Sequence, residues 1–290
     1  MWFWFAFGSA ILGAFDVILN KKLLHRVSAA VLTWSLFALT LPIVLAIVLF
    51  SGIPSLNKLF FIGVFGSAFS FVFAKTIINE TLKQNLVSKV FPLTAFAGFF
   101  TYIFGLVLLS ETLRPIPVLG LSTIVVGSYF LNLDMAKESF LAPFKILFTT
   151  KSSLIYIFAI MLGSITSVFD KMGITNSQPN SPVIVMLFEQ TTMSFLLLLF
   201  LIKRQKDTWF VEIKNNFRLL ALNSLLFLAV SFLVFYSFVS GPVALAMAVK
   251  RLQIFFILIL SIVFFKEKPP KHVWISTAIM ILGVVLIKIG

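Results

Sequence analysis

The stretch from Gly241 to Lys268 constrains the fold most, because it is an apolar segment long enough to cross a membrane and carries Lys250 and Arg251 in its interior. About 20 apolar residues span the core of a bilayer at about 1.5 Å rise per residue. Lys250 follows Pro242 by eight positions, so we expect it roughly 12 Å deep, near the midplane. A charge there costs at least about 2.5–3.5 kcal/mol, so the pair is predicted to face a watery cavity, a counter-charge or a ligand.

Composition places the chain among polytopic membrane proteins, because 60% of its 290 residues are hydrophobic and 11% are charged. The net charge of +13 comes from Lys and Arg that cluster between apolar segments, which indicates membrane orientation and not nucleic-acid binding. There is no cysteine, and the sequence holds no HExxH, GxSxG or phosphate-binding GxxxxGK[ST] pattern. We therefore expect no enzyme activity, no metal site and no cofactor.

Apolar runs between breakers and charges predict ten membrane-spanning helices. The predicted spans are Trp2–Leu19, Ser28–Phe50, Leu59–Asn79, Leu86–Leu109, Ile116–Leu133, Ser153–Lys171, Pro182–Ile202, Phe217–Val239, Val243–Phe265 and His272–Ile289. Two longer links, 134–152 and 203–216, mix apolar and basic residues and are predicted to lie at the membrane interface.

An internal repeat divides the chain into two halves of five helices. A shift of 156 positions brings 85–133 onto 241–289 and pairs Glu111 with Glu267 and Gly127 with Gly283. Asp16, near the end of the first span, has an echo in Asp170, near the end of the sixth. The predicted domains are residues 1–133 and 153–290, joined by the interfacial linker 134–152.

The odd number of helices in each half requires the second half to enter the membrane in the opposite orientation. Loops that follow even-numbered spans hold only two basic residues, Lys58 and Arg114, and the other loop cations follow odd-numbered spans. The positive-inside rule then places the odd loops in the cytoplasm and both termini outside. Inverted repeats of this kind are typical of secondary transporters, whose sites lie near the midplane between the halves.

The sequence resembles the EamA-type, ten-helix branch of the drug/metabolite transporter superfamily over nearly its whole length. The motifs are VSKVFPLTAFAGFF and LLSETL in the first half, and GPVALAMAVKRLQIFF and FFKEKP in the second. The resemblance implies export or exchange of small metabolites by alternating access, without ATP. It also implies termini in the cytoplasm, opposite to the orientation that the loop charges predict.

The adjacent cations Lys250 and Arg251 are similar to the Lys-Arg pair on the ninth helix of the sugar-phosphate translocators of the same superfamily, where the pair holds the substrate phosphate. Lys89 lies near the position of their fourth-helix lysine. Arg offers a planar fork to phosphate or carboxylate, and Lys adds a compact charge. The alternative is a structural ion pair with Glu189, which is predicted at a matching depth in the seventh span. Glu189 is either that counter-charge, which we favour, or a proton-coupling group.

The remaining candidates have weaker signals. Lys75, also a candidate for substrate binding, is close enough to a helix end to reach the interface instead. Asp16 and Asp170 are predicted at a gate or vestibule, with a solvated helix end as the alternative. Pro92 and Pro242 are predicted helix breakers beside the cavity.

Together these observations predict an all-α integral membrane protein that acts as a secondary transporter of a small polar metabolite, anionic or zwitterionic. A flippase for a lipid-linked phosphate carrier is the alternative within transport, and an integral-membrane enzyme or sensor is the alternative of another class. The expected partners are a small-molecule substrate, the lipid bilayer and a coupling ion or proton, with the chain as a monomer or homodimer. The expected location is the cytoplasmic membrane of a prokaryote.

Overall fold

The computed structural model describes residues 1–83, 97–130, 151–205, 208–265 and 271–290. These ranges are helical apart from two short strands and the connecting turns. In chain order the elements are α1 (Trp2–Leu24), α2 (Ala29–Ala38), α3 (Leu41–Ser51), β1 (Ser55–Leu56), α4 (Lys58–Lys83), α5 (Ala97–Leu109), α6 (Pro115–Phe130), α7 (Lys151–Thr175), β2 (Ser177–Gln178), α8 (Pro182–Gln205), α9 (Thr208–Ser240), α10 (Val243–Lys250), α11 (Gln253–Phe265) and α12 (Lys271–Ile289).

The helices have the length and apolarity of membrane spans. Eight segments of the described chain are long and apolar enough to cross a bilayer, among them Ala29–Ser51, which joins α2 and α3. The shorter apolar helices α5 and α6 supply the other two crossings. Large apolar side chains cover the outer surface, such as Phe50, which is 93% exposed, and Leu49, which is 71% exposed. Such a surface suits lipid and not water, so the predicted all-α, ten-helix membrane fold is confirmed.

The helix ends differ from the predicted spans where polar residues continue a helix beyond the apolar core. α1 continues to Leu24, α4 to Lys83 and α7 to Thr175. Residues 203–216, predicted as an interfacial link, are largely helical, since α8 reaches Gln205 and α9 begins at Thr208. Lys, Arg and Gln are good helix formers, and at the start of α9 Trp209 and Ile213 also pack against a buried cluster, so helices extend into the polar interface. Residues 131–150 lie outside the described part, and the division into 1–133, 134–152 and 153–290 stays a prediction.

The second span is interrupted at Thr40, between α2 and α3. The buried Thr40 hydroxyl lies 2.8 Å from the Leu36 carbonyl oxygen and 3.2 Å from Oε1 of Gln190 on α8. Pro42 occupies the first turn of α3, where its missing N–H group costs nothing. The interruption therefore follows from Pro42, and the Thr40 hydroxyl ties it to the second half.

The two halves meet along α6 and α12 through an exchange of small residues. A Cβ atom added to Gly120 would lie 2.6 Å from the Gly283 carbonyl oxygen, and one added to Gly127 would lie 2.9 Å from the Ser276 carbonyl oxygen. The shift of 156 positions turns Gly120 into Ser276 and Gly127 into Gly283, so it converts one contact into the other. This exchange is what a twofold axis between repeats produces. Close backbone approach through small residues is the usual way membrane helices pack.

The same exchange relates the longest helix pairs, because α4 packs along α7 and α1 packs along α9. On the face that carries the loops after even-numbered spans, called here the even side, β1 pairs with β2 antiparallel, with Ser55 opposite Gln178. The opposite face, with the loops after odd-numbered spans, is called the odd side. Both chain ends lie together, since Nζ of Lys288 is 4.8 Å from the ring centroid of Trp4.

Candidate substrate cavity

A cavity of about 280 Å³, called here the first cavity, opens among α2, α4, α7, α8, α9 and α10. Seven of its twenty lining residues carry aromatic or thioether side chains. They are Phe37, Phe71, Phe227, Phe235, Met186, Met193 and Met247. The charged residues on this wall are Lys75, Asp170, Glu189 and Lys250. An apolar chamber with a few polar groups is the usual form of a small-molecule site.

Two acidic residues lie side by side in this wall. Asp170 on α7 is 8% exposed and Glu189 on α8 is 4% exposed. Their carboxyl groups are within hydrogen-bonding reach of each other. The Ser67 hydroxyl on α4 donates to Oδ1 of Asp170. Next to this group the hydroxyls of Ser70 and Thr166 are 2.9 Å apart, so a line of polar contacts follows the α4–α7 seam.

Lys250 is the cation at the C-terminal end of α10, where the helix dipole favours positive charge. It interacts electrostatically with Asp16 and Asp170, which come from the equivalent helices α1 and α7 of the two halves. Asp16 also interacts with Lys75 and accepts a 2.8 Å hydrogen bond from Nδ2 of Asn20. Lys75 is exposed as well as lining the cavity, so the cavity reaches the surface along the C-terminal part of α4.

A second cavity, of about 410 Å³, lies beside the first and is lined by α5, α7, α10 and α11. Gly163, Met247 and Lys250 line both cavities, whereas Arg251 lines the second. Lys250 and Arg251 face different surroundings because α10 ends in a tight turn between them. In that turn the Arg251 N–H donates to the Ala248 carbonyl at 3.1 Å. Lys250 and Arg251 therefore both line the second cavity, and Lys250 connects it to the first.

The predicted site residues fall into three groups. Lys250, Arg251, Lys75, Asp170 and Glu189 line one or both cavities. The structure brings Glu189 to Asp170 and Ser67 in the first cavity, whereas Arg251 lines the second.

Asp16 lies near the first cavity without lining it. Pro242 is the N-cap residue of α10 with an extended backbone, in the turn that joins α9 to α10. Lys89, Pro92 and Glu267 lie outside the described residues.

Sequence reasoning missed Ser67, Ser70 and Thr166. The available signal was the spacing of polar residues within each span. Ser67 and Ser70 are three residues apart, and Thr166 and Asp170 are four residues apart. Such spacings place polar residues on one helix face. In an apolar span, a face of this kind is expected to turn away from lipid.

A cluster on the even side, called here the even-side cluster, joins both halves beyond the cavities. Lys171 of α7 forms an ion pair with Glu111 from the α5–α6 turn and donates a 2.6 Å hydrogen bond to the Gly241 carbonyl. Oε2 of Glu111 accepts a 2.9 Å bond from the Val243 N–H at the start of α10. The cluster therefore fixes the turn between α9 and α10 to α7 and to the α5–α6 turn.

These features define a helical membrane protein of inverted repeats that enclose charged cavities between their halves. The chain belongs to the EamA-like transporter family, whose model matches residues 1–133 and 150–289, so the resemblance to the drug/metabolite transporter superfamily is confirmed. A search of curated proteins found no match. A solved structure titled "Crystal structure of protein" is similar in fold, with a TM-score of 0.71 and 15% identity. The match covers 98% of this chain and 96% of the chain in that structure.

Proposed function

We propose that the protein is a secondary active transporter that moves a small polar metabolite, anionic or zwitterionic, by alternating access through the first cavity. The observation that carries the proposal is Lys250, a cation at the junction of both cavities. A lysine ammonium in an apolar chamber attracts a carboxylate or phosphate strongly, because the surrounding side chains screen the charge little. We place the protein in the cytoplasmic membrane of a prokaryote, acting without enzymatic chemistry.

The asymmetry of the two membrane faces supports alternating access. The first cavity reaches the surface near Lys75, towards the odd side, while the even-side cluster holds α5, α7 and α10 together beyond it. Opening the other side requires the bonds of Lys171 and Glu111 to separate. In inverted-repeat transporters this exchange is a rocking of one half against the other around a fixed site.

The size of the first cavity favours a small solute over a lipid-linked carrier. A volume of about 280 Å³ is at the lower end for sites that enclose drug-sized molecules. Its aromatic and thioether walls suit a compound with an apolar part beside its charged group, since Met and Phe side chains adapt to apolar surfaces. We therefore favour a compact organic acid, phosphate ester or zwitterion as the substrate class.

A thermal-shift screen of the purified protein tests this function. We expect carboxylates, phosphorylated metabolites or zwitterions to raise the unfolding temperature, because a compound that binds the folded state at 100 times its Kd adds about 2.7 kcal/mol of stability. The shift should be lost in Lys250→Met and retained in Lys58→Met, which removes an exposed cation at the start of α4.

Arg251→Ala tests the second cation in the same screen, and we expect a reduced shift. Stabilisation by neutral compounds alone, unchanged in Lys250→Met and Arg251→Ala, would contradict the proposal. The cations would then be structural, and the recognition surface would be the aromatic wall.

A further inference from the structure

We propose that Asp170 and Glu189 form the proton-binding site of this transporter. The two carboxyl groups share one exchangeable proton, and binding of an anion at Lys250 draws a further proton to the pair. This proposal rests on the transport function proposed above, and it names the coupling ion and the atoms that carry it.

The geometry of the pair requires a proton. An ionised carboxylate has acceptor atoms and no donor, so two carboxyl groups hydrogen-bond to each other only when one of them is protonated. Asp170 and Glu189 are within hydrogen-bonding reach, and both are more than nine-tenths buried. Two unprotonated charges at this separation in an apolar wall repel strongly, as in paired catalytic carboxylates.

The donors around the pair leave one oxygen without a partner. The Ser67 hydroxyl is used by Oδ1 of Asp170. Oε1 of Glu189 is buried and receives no hydrogen bond from the part of the chain that the structure describes. This oxygen therefore has an unused lone pair inside the buried pair, where a second proton can be held without displacing another donor.

The charged groups that face the pair determine the coupling. Lys250 on α10 interacts electrostatically with Asp170, and Asp16 on α1 interacts in turn with Lys250 and with Lys75 on α4. With one shared proton the pair carries a single negative charge beside the positive charge of Lys250. An anion at Lys250 adds a negative charge beside the pair, and a second proton on the pair compensates for it. Anion and proton binding therefore favour each other, and linkage makes the effect reciprocal.

Infrared difference spectroscopy of the membrane-reconstituted protein tests the proton site without any substrate. We expect a carboxylic-acid carbonyl band near neutral pH that disappears on alkaline titration. The band should be lost in Glu189→Gln and in Asp170→Asn, each of which keeps the size of the side chain. It should persist in Glu212→Gln, which changes a carboxylate on α9 that bonds the Ser28 N–H and lines neither cavity. A spectrum without such a band, or a band that survives both pair substitutions, would overturn the proposal.

Cysteine labelling tests whether the proton affects the conformation. The chain has no cysteine, so Ser231→Cys on the cavity wall is a unique thiol, and Thr175→Cys at the exposed end of α7 is its matched control. We expect the labelling rate of the cavity thiol by an impermeant maleimide, divided by that of the control, to change between mildly acidic and mildly alkaline buffer. The change should vanish in Glu189→Gln, and a ratio independent of pH with the pair intact would refute the coupling.

The two tests separate this proposal from the transport function. If the thermal-shift screen finds a ligand that depends on Lys250 while the infrared band is absent, the proton site is wrong and the transporter stands. If the pair titrates but no compound in the screen binds, the proton site stands and the proposed substrate cavity is wrong. Labelling that responds to sodium and not to pH would also overturn the choice of the proton.

Discussion

The even-side cluster gives a prediction that can be quantified. Lys171→Met removes the ammonium that pairs with Glu111 and that donates to the Gly241 carbonyl at 2.6 Å. Glu111→Gln keeps the shape of the side chain and removes its charge. The exposed fractions of the two side chains are 12% for Lys171 and 14% for Glu111, so water replaces little of what is lost.

The expected cost follows from the bonds involved. A hydrogen bond to a charged group contributes about 1.5–3 kcal/mol, and an unpaired charge left in a buried place adds a penalty. We therefore expect Lys171→Met to lower the free energy of unfolding by about 2–3 kcal/mol. Glu111→Gln should cost somewhat less, since Gln retains an acceptor for the Val243 N–H. The double variant should lose about 1–2 kcal/mol less free energy of unfolding than the two single losses added together. The reason is that each single change leaves the other charge without its partner.

Unfolding of the purified protein, measured for the wild type, both single variants and the double variant, completes the cycle. Lys288→Met is the control, because Lys288 lies over the Trp4 ring at the same face without belonging to the cluster. If the two effects add within about 0.5 kcal/mol, the residues act independently. That result would refute the cluster as a unit that holds the two halves together.

Three further predictions concern single substitutions, at two helix contacts and at the shared wall of the two cavities. Gly283→Val should destabilise the protein by about 1–3 kcal/mol in thermal unfolding, because its Cβ would lie 2.7 Å from the Gly120 carbonyl oxygen, and unchanged stability would contradict the contact. Gly163→Val should keep its stability, since a Cβ there meets nothing within 4 Å, but should weaken the ligand-induced thermal shift because Gly163 lines both cavities. Asn223→Ala should cost about 0.6–1.7 kcal/mol by removing the 3.1 Å bond to Asn20, and a loss well outside this range would contradict it.

The sequence predicted the parts of the structure that depend on hydropathy and repetition. Each predicted span has a helix in the described part of the chain, and the contact that pairs Gly127 with Ser276 is the twofold mate of the one between Gly120 and Gly283. Apolar runs and an internal repeat at a constant shift of 156 positions can both be recognised from the sequence alone. The helical extension at Thr208 was missed because its apolar residues, such as Trp209 and Ile213, alternate with polar and basic ones, although both pack against a buried cluster.

The arrangement of the cavities depended on information that spacing does not contain. Depth along a helix was readable, and it placed Lys250 and Glu189 at a similar level. The rotation of each helix was not readable, and rotation determines that Glu189 meets Asp170 while Arg251 lines the neighbouring cavity. The tight turn after Lys250 contains neither Pro nor Gly, so no helix-breaking residue in the sequence indicated it.

Uptake into proteoliposomes tests the central claim most directly, with the compound that stabilises the purified protein most and with the wild type, Lys250→Met and Lys58→Met compared side by side. A charge-assisted bond in the cavity is worth about 1.5–3 kcal/mol. Loss of the Lys250 ammonium should therefore raise the half-saturating concentration about tenfold to a hundredfold, at about 1.4 kcal/mol per factor of ten. Lys58→Met should transport like the wild type. Equal uptake by Lys250→Met and the wild type, in correctly inserted protein, would contradict the assignment of the first cavity as the substrate site.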